Sequence, residues 1–173
     1  MAPHKIDTGR LILRRWTQED HAPFAEICGD PQVMQFIGNG STRTAEQARR
    51  SIASFEREWE ERGYGLFAVE EKQTGSLVGF TGLSWPDFLP EVLPSVEIGW
   101  RLSKLSWGRG YASEAATAAL SFGVTELGLR DIVSVYQIGN EASMRIMQKL
   151  GMFSDRKTID PTCEREVEVY RLP

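Results

Sequence analysis

Histidine and cysteine are scarce in this chain, two of each among 173 residues, and that scarcity excludes several chemistries at once. His4 and His21 stand far apart without metal-ligand spacing, so no metal is expected. Cys28 and Cys163 are isolated and read as free thiols, Cys28 in the first helix. Long apolar runs are also missing. The longest stretch without a charge, Gln73 to Pro86, is too short and too rich in Gly, Thr and Pro to cross a bilayer, and no basic-then-apolar segment opens the sequence. A cytoplasmic protein with no membrane partner is therefore expected. Excess positive charge is absent too: twenty basic against twenty-four acidic side chains leave −4, which argues against a nucleic-acid surface and is compatible with a cationic amine ligand. No internal repeat or low-complexity linker divides the chain, and 41% hydrophobic content suits one domain, residues 1–173, with a sizeable core.

What is present has clear periods. Arg10 to Arg14 alternates as a strand, and Thr17-Gln18-Glu19-Asp20 has the form of a capping box opening a helix that ends near Cys28-Gly29, where Asp30-Pro31 breaks it. Thr44 caps a second helix with Ala48, Ile52, Phe55 and Trp59 on one face and Gly63 at its end; its charged face reads as solvated. Tyr64 to Val69 and Ser76 to Leu83 form an antiparallel pair across a polar turn. The segment Trp85 to Pro94, with three prolines, cannot be a central strand. In Ser95 to Leu102, Val96, Ile98, Trp100 and Leu102 alternate with Ser95, Glu97, Gly99 and Arg101. Asp131 to Tyr136 is a further strand, Asn140 caps a helix carrying Ser143, Ile146, Met147 and Leu150 on one face, and Glu166 to Leu172 alternates at the end. Another strand is expected around Met152 to Lys157.

The rest is organised around Trp107-Gly108-Arg109-Gly110-Tyr111-Ala112-Ser113-Glu114. Two glycines open into a helix whose core stripe is mostly small, with Ala115, Ala116 and Ala119, so bare backbone amides precede a helix start that favours a phosphate. A plain turn before a core helix is the competing reading. A dinucleotide site fits poorly, because Ser113 occupies the third glycine position, and no Gly-Lys-Ser/Thr follows as a Walker loop requires.

Glu97-Ile98-Gly99-Trp100-Arg101-Leu102, the Trp107 to Ala115 loop, Asn140-Glu141-Ala142-Ser143 and Lys149-Leu150-Gly151-Met152 resemble the GNAT N-acetyltransferases, specifically the RimJ/RimL-like branch acting on ribosomal-protein N-termini. Thr8 to Arg14 and Asp30-Pro31-Gln32-Val33-Met34 are similar to the opening of that branch. Trp107 departs from the Arg or Gln usual in the family's loop signature. The resemblance implies an α/β fold with a mixed sheet of about six to seven strands, helices on both faces, and two central parallel strands splayed apart to admit acetyl-CoA. It implies that acetyl-CoA lies along Trp100, Arg101 and Leu102, on the loop and helix start from Gly108, Arg109 and Gly110 to Tyr111, Ala112 and Ser113, and at Asn140. It places the acceptor beside Trp85, Asp87, Phe88 and Glu91, although apolar residues there can also simply cover the core.

Acetyl transfer to an amine needs a neutral amine, a polarised carbonyl and a stabilised leaving thiolate. Glu97 is the candidate base, against the alternative that it only pairs with Arg101. The tyrosine that many family members use as general acid is replaced here by Met147, which leaves Ser143 as the candidate acid or, alternatively, as a helix first-turn residue. An α-amine, with its lower pKa, needs a weaker base than a lysine does. The expected activity is transfer from acetyl-CoA to a primary amine in a ternary complex, the acceptor a protein or peptide N-terminus. A polyamine, aminoglycoside or amino acid acceptor, a non-catalytic acyl-CoA-binding module and a dinucleotide-binding oxidoreductase fragment are the alternatives. Monomer and homodimer are both compatible with the sequence.

Overall fold

A computed structural model describes residues 5–173, so His4 lies outside the described residues; within them the alternating segments join in an eight-stranded sheet. Strands β1 (Lys5–Asp7), β2 (Leu11–Arg14), β3 (Leu66–Glu71), β4 (Leu77–Ser84) and β5 (Val96–Leu102) run antiparallel in chain order. β6 (Ile132–Gln137) pairs parallel to β5, and β8 (Arg165–Arg171) inserts antiparallel between β6 and the edge strand β7 (Phe153–Asp160). Helices α1 (His21–Cys28), α2 (Pro31–Met34) and α3 (Ala45–Arg62) follow β2, α4 (Tyr111–Ser121) follows β5, and α5 (Glu141–Lys149) follows β6. The mixed α/β architecture is the expected one, but the strands number eight rather than six or seven. The additional strand is β1, whose three residues are too few to show an alternation.

Local signals place most of the remaining elements. Thr44 and Gln47 close a reciprocal capping box at the start of α3, and Gly63 ends that helix in the left-handed conformation. The Thr17–Asp20 box is also present but opens a 3-10 turn, and α1 begins at His21. Asp30-Pro31 starts a helix instead of only breaking one. The Asp30 carboxylate accepts from the Gln32 amide, and Pro31 at the first helical position gives up an N–H that would have been unpaired.

Two hydrophobic layers flank the sheet. On one face Val96, Ile98 and Leu102 pack with Ala115 and Ala119 of α4 and Met147 of α5. On the other, Phe24 of α1 and Ile52 of α3 gather around Trp16 and Phe80, with Trp16 and Phe24 in edge contact at 5.0 Å. Among the described residues, no helix is long and apolar enough to cross a membrane.

The centre of the sheet is where regular pairing fails. β5 and β6 pair only at Val96↔Ile132 and Glu97↔Val133, although the strands are seven and six residues long. Beyond that point the Ser134 hydroxyl donates to the Ile98 carbonyl at 2.7 Å, so a side chain takes the place of the next ladder bond. The strands then diverge.

A close backbone approach lies one strand further along, between β4 and the chain entering β3. A Cβ at Gly82 of β4, where φ is +154°, would lie 2.3 Å from the Gly65 carbonyl oxygen, whereas one at its cross-strand partner Gly99 would meet nothing within 4 Å. Gly82→Ala is expected to cost about 2–5 kcal/mol in denaturant unfolding, from clash and backbone strain together. Gly99→Ala should stay within about 1 kcal/mol of the parent chain. Equal stabilities for the two variants would contradict the asymmetry.

Candidate active site

The glycine loop leads into α4 as the sequence predicts. Gly108 and Gly110 take φ values of +73° and +77°, and Gly110 stands at the helix N-cap without a side-chain cap. The first intrahelical bond runs from the Glu114 amide to the Gly110 carbonyl, so the N–H groups of Tyr111, Ala112 and Ser113 precede the helical ladder. The Tyr111 side chain is buried, its hydroxyl donating to Glu71 and its ring held between the guanidinium groups of Arg10 and Arg109 at 4.5 and 4.6 Å. Arg109 itself pairs with Glu71 at 2.8 Å. Both side chains thus build the loop, which leaves their backbone for a ligand. Trp107 is half-exposed and donates from its indole to the Leu102 carbonyl at 3.1 Å.

In the gap between β5 and β6 stand Trp100, Asn140 and Ser143. The Asn140 side-chain oxygen accepts from the Ser143 amide at 3.3 Å, capping α5 as expected. Its amide nitrogen donates to the Ser143 hydroxyl oxygen at 3.1 Å, and the Trp100 indole donates to the same oxygen at 3.3 Å. With two N–H donors on its oxygen, the Ser143 hydroxyl keeps its own proton to donate. Met147 is buried and lines the same cavity, and Tyr136, a phenol in that lining, donates to Glu168 instead.

A cavity of about 470 Å³ opens here and reaches from Ser143 and Met147 at α5 to Phe55 and Glu58 of α3. Its charged groups fall into two sets. Glu97, Glu58 and Asp160 form the acidic one. Burial pushes the Glu97 carboxyl up to about 8; Ser84, at 3.5 Å, opposes the rise, and the charges of Glu58 and Asp160 add to it. Burial also raises Glu58, against a bond from the Trp85 amide at 2.5 Å. Asp160 accepts from the backbone and hydroxyl of Thr162 at 2.8 and 2.6 Å. Arg101 and Arg43 form the basic set. Glu97 and Arg101 do not pair. Arg101 lies 5.0 Å over the Phe80 ring and donates to the Cys28 sulfur at 3.4 Å, while Glu97 faces Ser84.

Of the residues expected at the acceptor, only Phe88 lines the cavity. Trp85 is half-buried under the Arg62 guanidinium, 4.3 Å from its ring. Asp87 and Glu91 are exposed, and Glu91 accepts from Thr158 of β7 at 3.2 Å. Glu58, Asp160 and Arg43 are the charged cavity groups not singled out from the sequence. Glu58 carried a signal: it follows Phe55 by three positions and so borders the apolar stripe of α3. Asp160 and Arg43 had none, being brought in by the β7–β8 hairpin and by the loop before α3. Among the described residues, no three His, Cys, Asp or Glu side chains are grouped to hold a metal ion.

Comparison with known proteins identifies the family. The family model described as an acetyltransferase (GNAT) domain matches residues 10–153. The uncharacterized N-acetyltransferase YoaA of Bacillus subtilis is 30% identical over 146 residues, covering 84% of this chain and 81% of its own. A GNAT-family acetyltransferase from Bacillus anthracis superposes with a TM-score of 0.80 at 26% identity, over 97% of each chain. RimL, a ribosomal L7/L12 α-N-protein acetyltransferase solved with coenzyme A, shares the fold at a TM-score of 0.78 and 14% identity, over 99% of this chain and 96% of its own.

The raised Glu97 pKa has a signature in stability. Because the folded chain holds this proton more tightly than the unfolded chain, the associated stability is fully present below the ordinary carboxyl value of 4.5 and is lost as pH rises through about 8. Glu97→Gln does not titrate. Its melting temperature should match the parent near pH 4.5 and exceed it by several degrees at pH 9. A difference that does not change with pH would contradict the assignment.

Proposed function

The chain belongs to the GNAT acetyltransferase family, and from that premise we propose that it transfers the acetyl group of acetyl-CoA to the α-amine of a peptide or protein N-terminus, as RimJ/RimL-like enzymes do. The observation that carries this reading is Glu97, a half-buried carboxyl lining the cavity at the point where the central strands part, its pKa pushed up to about 8 by desolvation. An α-amine has a pKa of about 8 and a lysine amine about 10.4, so Glu97 takes a proton from the first at almost no cost and from the second at about 3 kcal/mol. Proton transfer is most effective when donor and acceptor are matched near the working pH.

The chain has the features that acetyl-CoA requires. The pyrophosphate would be held by the amides from Gly108 to Ser113, where both glycines adopt a positive φ and the helix start is uncapped. Trp100, Arg101 and Leu102 would present their backbone along the pantetheine, with Asn140 on the opposite wall. Acetyl-CoA supplies the thioester; the amine nitrogen bonds to its acetyl carbon as the carbon–sulfur bond breaks. The negative charge of Glu58 and Asp160 attracts the protonated amine, Glu97 takes one proton so that the neutral amine can attack, and the second proton, released as the amide forms, leaves with the departing thiolate as the thiol. Ser143 donates its free hydroxyl hydrogen toward the departing sulfur. Phe88 shapes the acceptor side. Transfer is direct: neither Cys28, which is buried against Arg101, nor Cys163 lines the cavity.

The test is product analysis. A peptide bearing both a free α-amine and a lysine should be acetylated at the α-amine, as located by mass spectrometry, and the same peptide with a blocked N-terminus should be a poor acceptor. Exclusive lysine labelling, or thiol release with neither peptide, would overturn the reading. Ser143→Ala should lower kcat by roughly tenfold to a hundredfold, because serine assists a thiolate that leaves readily, while the dissociation constant for acetyl-CoA changes little. An unchanged kcat would confine Ser143 to capping α5.

A further inference from the structure

The basic end of the cavity is left without a counter-charge. The Arg101 Nε is buried and has no hydrogen-bond partner. An unpaired buried donor on a charged group is costly, more so than a neutral one. Neither Arg101 nor Arg43 pairs with a carboxylate among the described residues, whereas Arg14, Arg15 and Arg171 each bridge two. Burial lowers the Arg101 pKa, its contact with Cys28 opposes this, and the Arg43 charge lowers it further. Contact with the Phe80 ring and the Cys28 sulfur offsets part of the burial cost, but leaves the Nε hydrogen unused. Two guanidiniums facing one cavity, neither paired with a carboxylate among the described residues, make a binding site for an anion.

We propose that the acceptor carries a carboxylate a short distance from its reactive amine, and that Arg101 and Arg43 bind that carboxylate while Glu97 receives the amine. This rests on the α-amine reading and adds to it a substrate class. The spacing is set by the sheet: Glu97 pairs across from Ser84, and Arg101 from Phe80, on the same face of β5. Four residues of extended strand separate them by roughly 13 Å. An extended peptide advances about 3.3–3.6 Å per residue, so an α-amine at Glu97 brings an acidic side chain at the second or third residue within reach of the Arg101 guanidinium. The free C-terminal carboxylate of a tripeptide reaches the same place. Both sources present the same chemistry.

The experiment compares long amidated peptides beginning Ser-Glu-Glu and Ser-Gln-Gln, and the tripeptide Ser-Ala-Ala as free acid and as amide. In the parent protein, kcat/KM for the Glu peptide should exceed that for the Gln peptide at least tenfold, mostly through KM. A matching preference for the tripeptide acid over its amide assigns the site to a terminal carboxylate; a preference confined to the long peptides assigns it to a side chain. Arg43→Gln, at an exposed position, should cut the acidic preference below threefold. Arg101→Met should do the same, with its folding checked by thermal unfolding. Equal use of the acidic and neutral acceptors by the parent, or a tenfold preference that survives both substitutions, would overturn the proposal. Calorimetric binding of the same peptides keeps the two readings apart. If no amine is acetylated, the proposed function fails, while tighter binding of the acidic peptides that is lost in Arg43→Gln still supports the anion site and equal binding still removes it.

Discussion

The molecule depends on an interruption. Two parallel strands that have the length to pair throughout are held together for two residue pairs and then parted, with the Ser134 hydroxyl taking the Ile98 carbonyl where the ladder would have continued. An unpaired strand edge inside a protein normally incurs the cost of unsatisfied backbone groups. Here the gap is bordered by an indole, an amide and a hydroxyl bonded to one another, Trp100, Asn140 and Ser143. The opening is therefore a lined slot rather than a defect. The glycine-opened start of α4 follows β5 in the chain, and Glu97 of the same strand lines the acidic part of the cavity.

Placing a carboxyl at the head of such a slot has a stability consequence that is inseparable from its chemistry. Glu97 lies beyond water's full reach, with one weak hydrogen-bond partner in Ser84 and two other acids nearby. A better-solvated glutamate would stabilise the fold at neutral pH and would be too weak a base. Desolvation and like charge together bring it into the range where it can exchange a proton with an α-amine. The opposite sign prevails at the other end of β5, where Arg101 is equally short of partners. The two ends of one strand face thus carry ionisable groups, Glu97 and Arg101, without an opposite charge paired to either among the described residues.

Much of this was visible in the sequence, and the division follows range of interaction. Capping boxes, the glycine pair before α4 and the 95–102 alternation are local, so Thr44, Gly110, Glu97 and Asn140 were placed from residue type and spacing. The short strand β1 and the 3-10 turn before α1 were not, because a three-residue segment has no period and a capping box does not specify which helix type follows. In the cavity, Glu58 has only a weak signal, its position three residues after Phe55 at the border of the apolar stripe of α3, and the Trp85 amide bonded to it belongs to another segment. Asp160 and Arg43 come from segments distant in sequence, and only tertiary packing unites them. The Trp85 to Pro94 segment shows the converse: its acids suggested recognition, yet they point to solvent and Phe88 alone faces the cavity.

The central claim is that a carboxyl at the parting of the strands holds its proton up to the range of an α-amine. Direct carbon-13 NMR titration of the glutamate side-chain carboxyls, with the Glu97 resonance identified by its loss in Glu97→Gln, measures this without reference to substrate or turnover. A midpoint near 8, well separated from the surface glutamates, is the result expected. A midpoint below about 5 would mean that Glu97 is an ordinary solvated carboxylate and that the proton is taken elsewhere.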